Sequence, residues 1–466
     1  MTLMKTWNQL FVRHGWLLEE KSANRFDCSK ETEENIAFLV ESLEEVNVLY
    51  SLEEKELVIY HEPIDEESWI NVLDFNGRGR TESICLPNEL PIRTLDTYMA
   101  GVVRQLNRLG FRTTMSCDGH GHRRPYIYFD KSINKDWLAD LLHVMGIPRV
   151  NIQENRQNFN LFLHVKRSNL LELAENLSVI QKEWLGKGAQ FIEEQLFQQE
   201  LENLLSIPGA SRDEANIREI VKEKLTPYVD FITEDYYGNL LAEKSYGNGN
   251  GPTILLNAHL DTIEDFVEGR EIIKEGNIWS SSEGILGADD RAGVAIILAI
   301  AKFLNQSDFR GKVKFVFTVE EEIGLVGARH VENYFLWDVD AAIVLDRRGN
   351  GDIVTSCWGH IPFCSKEFGE FFERVAKDAG LSGWQCTAGG SSDTRIWASR
   401  GIQSVNLSVG YRNEHSYSEY LDVQATYETY TLLKAVFQKS SELRRLLRNI
   451  SRENYQGLYL TRKISM

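Results

Sequence analysis

Five residues with metal-binding side chains follow one another along the second half of the chain: His259, Asp289, Glu322, Asp346 and His415. Two imidazoles and three carboxylates are donors that zinc accepts readily, and a carboxylate can bridge two ions. Paired ions roughly 3.5–4 Å apart can polarise a carbonyl group and activate a water molecule. The set predicts a hydrolytic site with two divalent metal ions, zinc first, with cobalt and manganese as alternatives that suit the same donors.

Two further carboxylates stand beside these candidate ligands. Glu321 directly precedes Glu322, where a general base would be needed, and Asp261 follows His259 by two residues. A carboxylate beside a metal-bound histidine commonly orients its ring. Taken singly, each of these motifs is more often a solvated turn or an acidic surface. Their conjunction, in one order along the chain, favours a site.

The elements around the candidates explain how they could meet. Four short strands are predicted to be apolar on both faces, which is typical of strands inside a covered sheet: Thr253–Ala258, Val313–Val319, Ala341–Leu345 and Val405–Val409. A helix that is apolar nearly all round, Ala292–Leu304, lies between the first two. Residues 188–466 are therefore expected to form an α/β domain, with a mixed, mostly parallel sheet covered by helices. Ligands of such sheets gather beyond the carboxyl ends of the strands, where the candidates fall.

Residues 1–187 show a different, shorter pattern and are expected to form a separate α+β domain. Asn47–Tyr60 and Trp69–Cys85 are predicted hairpins, the second with its turn at Asn76-Gly77. Between residues 95 and 181 a helix-strand-strand order recurs, which suggests a small sandwich, ferredoxin-like in part. A chain of 466 residues is also too long for one ordinary core.

Composition excludes several classes of partner. The net charge of −18 leaves no basic surplus for nucleic acid or for an anionic membrane surface. The start of the chain lacks a signal-peptide pattern, and no apolar run reaches the roughly 20 residues of a membrane span. Six cysteines without a Cys-x-x-Cys pair suggest free thiols in a reducing compartment. We expect a cytoplasmic protein, and a homo-oligomeric assembly stays open.

Over about residues 190–440 the chain resembles the co-catalytic zinc exopeptidases, the superfamily of zinc aminopeptidases, peptidase T and related amidohydrolases. The resemblance rests on five segments, taken together: Ile254–Thr262, Leu286–Gly293, Phe315–Gly324, Gly389–Asp393 and Asn413–Ser416. It implies that Asp289 bridges two metal ions. His259 and Asp346 would complete the coordination of one ion, and Glu322 and His415 would complete that of the other.

The resemblance also implies roles for the neighbouring residues. Glu321 would be the general base, Asp261 would orient His259, and the peptide bond between Asp289 and Asp290 would be cis. The implied activity is an aminopeptidase that cleaves peptide bonds with a water activated by two zinc ions. A deacylase acting on N-acyl amino acids, or a dipeptidase, is the alternative within the superfamily. A catalytically inert binding or scaffold protein is the alternative outside enzymes.

Three further motifs are weaker, and two of them have two interpretations. The segment Cys117–His122 could be a second metal site, but a hairpin turn is favoured because further ligands are not evident nearby. Ser211 and Glu214 have the spacing of a helix capping box. Arg347 or Arg348 could bind a substrate carboxylate, although a salt bridge to the acidic surface is favoured.

Overall fold

The computed structural model describes residues 5–74 and 91–464, with side chains as far as Arg452. The chain divides into two compact units, Met1–Glu193 (the N-terminal unit) and Glu194–Met466 (the C-terminal unit). This division lies close to the expected seam at residues 187–188. Within the described ranges, none of the helices combines the length and the apolar character that crossing a membrane requires.

The N-terminal unit contains six helices and two four-stranded antiparallel sheets among its described residues. Its helices are α1 (Trp7–His14), α2 (Glu33–Glu45), α3 (Glu66–Leu73), α4 (Ala100–Arg108), α5 (Lys135–Val144) and α6 (Asn169–Ser178). Its strands are β1 (Glu19–Ser22), β2 (Arg25–Asp27), β3 (Tyr50–Glu53), β4 (Glu56–Ile59), β5 (Thr113–Cys117), β6 (Tyr126–Asp130), β7 (Val150–Glu154) and β8 (Asn158–Leu163). The sheet orders are β1-β2-β4-β3 and β5-β6-β8-β7. The expected α+β class of the N-terminal unit is confirmed. The second sheet follows the predicted helix-strand-strand repeat. This order differs from the β-α-β-β-α-β order of ferredoxin-like folds.

The two predicted hairpins have different outcomes. The first is present as β3 and β4, whereas the second is wrong at its start, because Trp69 lies in α3. Asp65 caps this helix by accepting a hydrogen bond from the Ser68 N–H. Trp69 and Leu73, four residues apart, then share one buried face, which is helical spacing. The predicted turn at Asn76-Gly77 lies outside the described residues.

A partly buried ion pair connects α1 to α3 in the N-terminal unit. Arg13 Nε lies 2.5 Å from Glu66 Oε1, and the Arg13 Nη1 atom lies 2.8 Å from Glu175 on α6. The His14 ring is fully buried, with Nε2 3.7 Å from Glu66 Oε1. Burial alone would raise the pKa of the Glu66 carboxyl, but His14 and Arg13 lower it to about 2. The Glu66 charge is therefore stabilised by folding.

The C-terminal unit contains one large sheet with helices on both faces and a second, small sheet. Its helices begin with one that overlaps the boundary and are α7 (Ala189–Leu205), α8 (Ala215–Leu225), α9 (Ala288–Leu304), α10 (Val326–His330), α11 (Asn333–Leu336), α12 (Lys366–Asp378), α13 (Asp393–Ser399), α14 (Val423–Gln438) and α15 (Ser440–Ile464). Its strands are β9 (Phe231–Glu234), β10 (Leu240–Tyr246), β11 (Thr253–His259), β12 (Ile272–Glu275), β13 (Ile278–Ser281), β14 (Gly311–Thr318), β15 (Ala341–Arg347), β16 (Asp352–Cys357), β17 (Ile361–Pro362), β18 (Gln385–Gly389), β19 (Gln403–Ser408), β20 (Tyr411–Arg412) and β21 (Tyr420–Asp422).

The main sheet has the order β17-β16-β19-β15-β11-β14-β10-β9, with β18 beside β16. Its centre, β14-β11-β15-β19, is parallel, and the pairings outside it are antiparallel except for β16 with β18. A separate small sheet has the order β12-β13-β21-β20. The predicted mixed α/β class is confirmed, and its parallel part is the centre of the sheet.

Successive residues of the central strands point into two different cores. Leu256 packs with α9 and α14 on one face, while Leu255 packs with α11 and α13 on the other. Every residue of β11 is buried as a result. A strand covered on both sides is mostly apolar on both faces, which is why Ile254–Leu256 shows no alternation.

Candidate metal centre

Three neighbouring parallel strands deliver candidate ligands to one edge of the sheet. His259 is the last residue of β11, Asp346 is the sixth of seven residues in β15, and Glu322 follows the end of β14. Asp289 lies at the beginning of α9, and His415 lies in the connection between β20 and β21. The carboxyl ends of parallel strands meet at the same edge, so the fold brings distant segments together.

The Asp289 carboxylate lies between the two histidines. Its Oδ1 is 3.1 Å from His259 Nε2, and its Oδ2 is 3.3 Å from His415 Nε2. His259 Nε2 is also 3.7 Å from Asp346 Oδ1, and His415 Nε2 is 2.8 Å from Glu322 Oε2. The five side chains thus form two groups that share Asp289.

This donor set fits divalent cations. Three carboxylates converge here, and Glu322 Oε1 is buried without a hydrogen-bond partner among the described residues. Burial would lower the pKa of His259, but the carboxyls of Asp261, Asp289 and Asp346 raise it well above its usual value. Asp289 and Glu322 likewise raise the pKa of His415 to about 10. The side chains therefore create a strongly negative environment that favours positive charge at both imidazoles.

Asp261 connects one histidine to the loop that carries the candidate base. Its Oδ1 lies 3.4 Å from His259 Nδ1 and accepts a hydrogen bond from the Glu321 N–H at 3.0 Å. Its Oδ2 accepts from the Glu322 N–H at 3.1 Å and from Ser211 Oγ at 2.7 Å. A single buried carboxylate thus sets the position of His259 and of both glutamates.

The surroundings of the Glu321 carboxyl make it a stronger proton acceptor than an ordinary glutamate. Burial, and next the charge of Asp346, raise the pKa of its carboxyl well above the usual value. A general base works best when its pKa lies near the working pH rather than far below it. Its backbone is fixed by Asp261, as described above.

Two residues that the sequence associated with a helix cap belong to this network. Helix α8 begins at Ala215, and its Glu214 cap position makes no side-chain capping bond, so the predicted capping box is wrong. Ser211 instead donates to Asp261, and Glu214 Oε1 accepts from the Glu320 N–H at 3.1 Å. The two residues have the spacing of a capping box, but both side chains form hydrogen bonds with more distant parts of the fold.

Glu419 is a buried acid that the sequence did not reveal. Its carboxylate accepts hydrogen bonds from the N–H groups of Leu286, Gly287 and Asp289, at 2.9, 2.7 and 3.1 Å. Burial raises its pKa to about 7. It holds the backbone that enters Asp289. Its closeness to His415 in the sequence was the signal available.

Asp346 is held by two further side chains that sequence inspection missed. Tyr411 Oη donates to its Oδ1 at 2.9 Å. Asn406 accepts from the Asp346 N–H at 3.0 Å and donates to its carbonyl at 2.8 Å. Asn406 Nδ2 also donates to Ser392 Oγ at 3.1 Å, which links the Gly389–Asp393 segment to the site.

Asp290 lies among the candidate ligands but has a different task. One of its oxygens groups with His259 and Asp346 within 4.8 Å. Both of its oxygens, however, accept backbone hydrogen bonds, from the His259 N–H at 3.1 Å and the Gly293 N–H at 3.2 Å. We therefore regard it as structural. The peptide bond between Asp289 and Asp290 is cis, as predicted.

The two arginines after Asp346 are paired with carboxylates of the chain itself. Arg347 Nε lies 3.0 Å from Asp352 Oδ2, and an Arg348 Nη2 atom lies 2.8 Å from Glu414 Oε1. The salt-bridge interpretation is therefore the one that the structure supports.

Comparisons with known proteins agree with this architecture. Residues 282–432 match the family model of M42 glutamyl aminopeptidases. The chain is 30% identical over 149 residues to the uncharacterised protein YqjE of Bacillus subtilis, covering 30% of this chain and 40% of that protein. It is 34% identical over 110 residues to Peptidase T of Lysinibacillus sphaericus, covering 22% of this chain and 27% of that protein. The chain thus spans less than half the length of these relatives.

A solved structure also aligns with part of the chain. Aminopeptidase PepT of Bacillus cereus aligns with a TM-score of 0.48 at 19% identity, covering 53% of this chain and 99% of that one.

The open α/β sheet carries imidazoles and carboxylates at the carboxyl edge of its central strands, where ligands of such sheets gather. The chain is similar to zinc exopeptidases of the M42 and peptidase T kinds, and these likenesses each span less than half of the chain.

Proposed function

We propose that this protein is a metal-dependent aminopeptidase that holds two divalent ions on its five candidate ligands. The observation that carries the proposal is the Asp289 carboxylate, whose two oxygens face His259 and His415 separately. A carboxylate that bridges through both oxygens uses this arrangement, with each oxygen bound to a different ion. Asp346 adds a donor beside His259, and Glu322 adds one beside His415.

Each side chain then has a separate task in peptide hydrolysis. When bound, the ions would polarise the scissile carbonyl and make a water molecule more acidic. Glu321 takes the proton of the attacking water and passes it to the leaving amine. Asp261 keeps the His259 ring and the Glu321 backbone in place. Glu419 holds the chain entering Asp289.

Cleavage of peptides from the amino end is supported by the relatives, which are named as aminopeptidases and as Peptidase T. A deacylase or dipeptidase would use the same donors, because specificity depends on the walls of the pocket. The substrate class is therefore decided by experiment, with paired peptides that differ only in acetylation of the first residue.

The test measures metal content by mass spectrometry and peptide cleavage on the same preparations. The native protein is expected to hold about two zinc, cobalt or manganese ions per chain and to cleave only the unblocked peptide. His259→Ala should lose metal and activity, while His360→Ala, at an exposed position of the same unit, should retain both. No metal after supplementation would refute the proposal, and would favour an inert binding protein. Preferred cleavage of acetylated substrates would favour a deacylase.

A further inference from the structure

A second cluster of metal-binding side chains lies in the N-terminal unit, at the Cys117–His122 segment. Cys117 ends β5, and Asp118 and His120 lie in the connection to β6. Asp96, which precedes α4, joins them from a distant part of the sequence. One donor atom from each of these four residues lies within 4.8 Å of the other three donors. The sequence favoured a simple turn because no further ligand was evident nearby. The fold supplies such a ligand, Asp96.

Asp96 has an unpartnered oxygen in a buried position. Its Oδ2 accepts a hydrogen bond from the Asp118 N–H at 2.8 Å. Its Oδ1 is buried and receives no hydrogen bond from the described residues, and only 4% of the residue is exposed. The neighbouring Cys117 thiol is a weak donor. A buried acceptor without a hydrogen bond destabilises the fold, more so if it is charged, so this oxygen favours a positively charged partner.

The charges around Asp96 and Asp118 are incompletely balanced. Asp118 is also buried, with 3% exposure. Arg167 approaches Asp118 Oδ2 only to 4.0 Å, and its guanidinium group lies over the Tyr98 ring at 4.3 Å. His120 Nδ1 is 3.4 Å from Asp118 Oδ1, and 53% of its side chain is exposed. A cation could therefore reach the cluster from the His120 side and neutralise both carboxylates.

We propose that Asp96, Cys117, Asp118 and His120 bind one divalent transition-metal ion, with zinc the best match to sulfur, nitrogen and oxygen donors. On binding, the Cys117 thiol gives its proton to solvent and forms a sulfur–metal bond, and His120 binds through a neutral ring nitrogen. Four protein donors complete a tetrahedral shell without an open position, which is characteristic of structural zinc sites. The ion would tie the segment before α4 to the β5–β6 connection.

The test is a cobalt(II) titration of the full-length protein, followed by near-ultraviolet absorption. A cobalt–thiolate bond gives a sulfur-to-metal charge-transfer band, whereas the five candidate ligands of the C-terminal unit include no cysteine. We expect a saturable band that zinc removes by displacement. Cys117→Ser should abolish it, and Cys386→Ser, at another partly buried thiol, should leave it unchanged.

Circular dichroism would reveal whether Cys117→Ser fails to fold. A second variant, Asp96→Asn, tests the site even in that case. Asp96→Asn keeps an oxygen that can accept from the Asp118 N–H but removes the charge, so cobalt affinity should fall about 10-fold or more. The proposal is overturned if the native protein gives no thiolate band, or if the band survives in Cys117→Ser. Unchanged affinity in Asp96→Asn would also overturn it. Because the two sites share no ligand, these results are independent of peptidase activity.

Discussion

Replacing Asp261 by asparagine tests the physical basis of the proposed catalytic site. The carboxylate accepts three hydrogen bonds, from Ser211 Oγ and from the N–H groups of Glu321 and Glu322. An amide of the same shape retains one oxygen and presents an NH₂ group where the other oxygen stood. At least one backbone N–H then faces a donor instead of an acceptor.

The magnitude follows from that mismatch. Hydrogen bonds to charged groups contribute about 1.5–3 kcal/mol each, and a buried group left unpaired costs about 1–3 kcal/mol. Loss of a carboxylate that orients a ligating histidine typically lowers metal affinity or activity about 10- to 100-fold. We expect Asp261→Asn to fall in that range. Ser211→Ala removes only one of the three bonds and should lower kcat/KM about 10-fold, for a loss of about 1.5 kcal/mol at the lower end of that range.

The assay follows hydrolysis of an unblocked peptide over a range of zinc concentrations, with thermal unfolding as a check on folding. Asp265→Asn, at an exposed position in the same connection after β11, is the matched control and should behave as the native protein. If Asp261→Asn keeps native metal dependence and native kcat/KM, the carboxylate does not position the site, and the reasoning is refuted.

Three other perturbations probe the base, the packing and an ion pair. Glu321→Gln should retain metal but lower kcat about 100- to 10,000-fold, and near-native turnover would exclude it as the base. Gly293→Ala would place a methyl group 2.0 Å from the Leu345 carbonyl oxygen, so its melting temperature should fall well below that of Gly390→Ala, where the space is open; equal values would contradict this packing. The pKa of Glu66 is depressed to about 2, so its stabilisation is present above about pH 4.5 and is lost as the pH falls towards 2. That contribution is on the order of 3 kcal/mol, and Glu66→Gln should therefore flatten the acid dependence of unfolding, while an unchanged dependence would argue against the ion pair.

Much of the fold could be predicted because its determinants are local. The continuous apolar run of β11 and the all-round apolar surface of α9 indicated buried elements before any contact was known. The prediction failed where side chains had two possible partners. Ser211 and Glu214 had the spacing of a cap, but buried acceptors and donors elsewhere in the fold offered better hydrogen bonds. The segment that begins at Trp69 had residue types typical of a strand. The Asp65 cap and the buried face of α3 stabilise a helix there instead.

By itself the sequence determined the order and types of the candidate ligands and the class of sheet that could gather them. Residue type and strand periodicity are properties of short segments, so they can be read without contacts. Only the tertiary structure decided that Asp289 lies between the two histidines, that Glu419 holds its backbone, and that Asp96 meets Cys117. These relations join residues 21 to 156 positions apart in the chain. Their distances depend on how the sheet and helices pack, which no local pattern specifies.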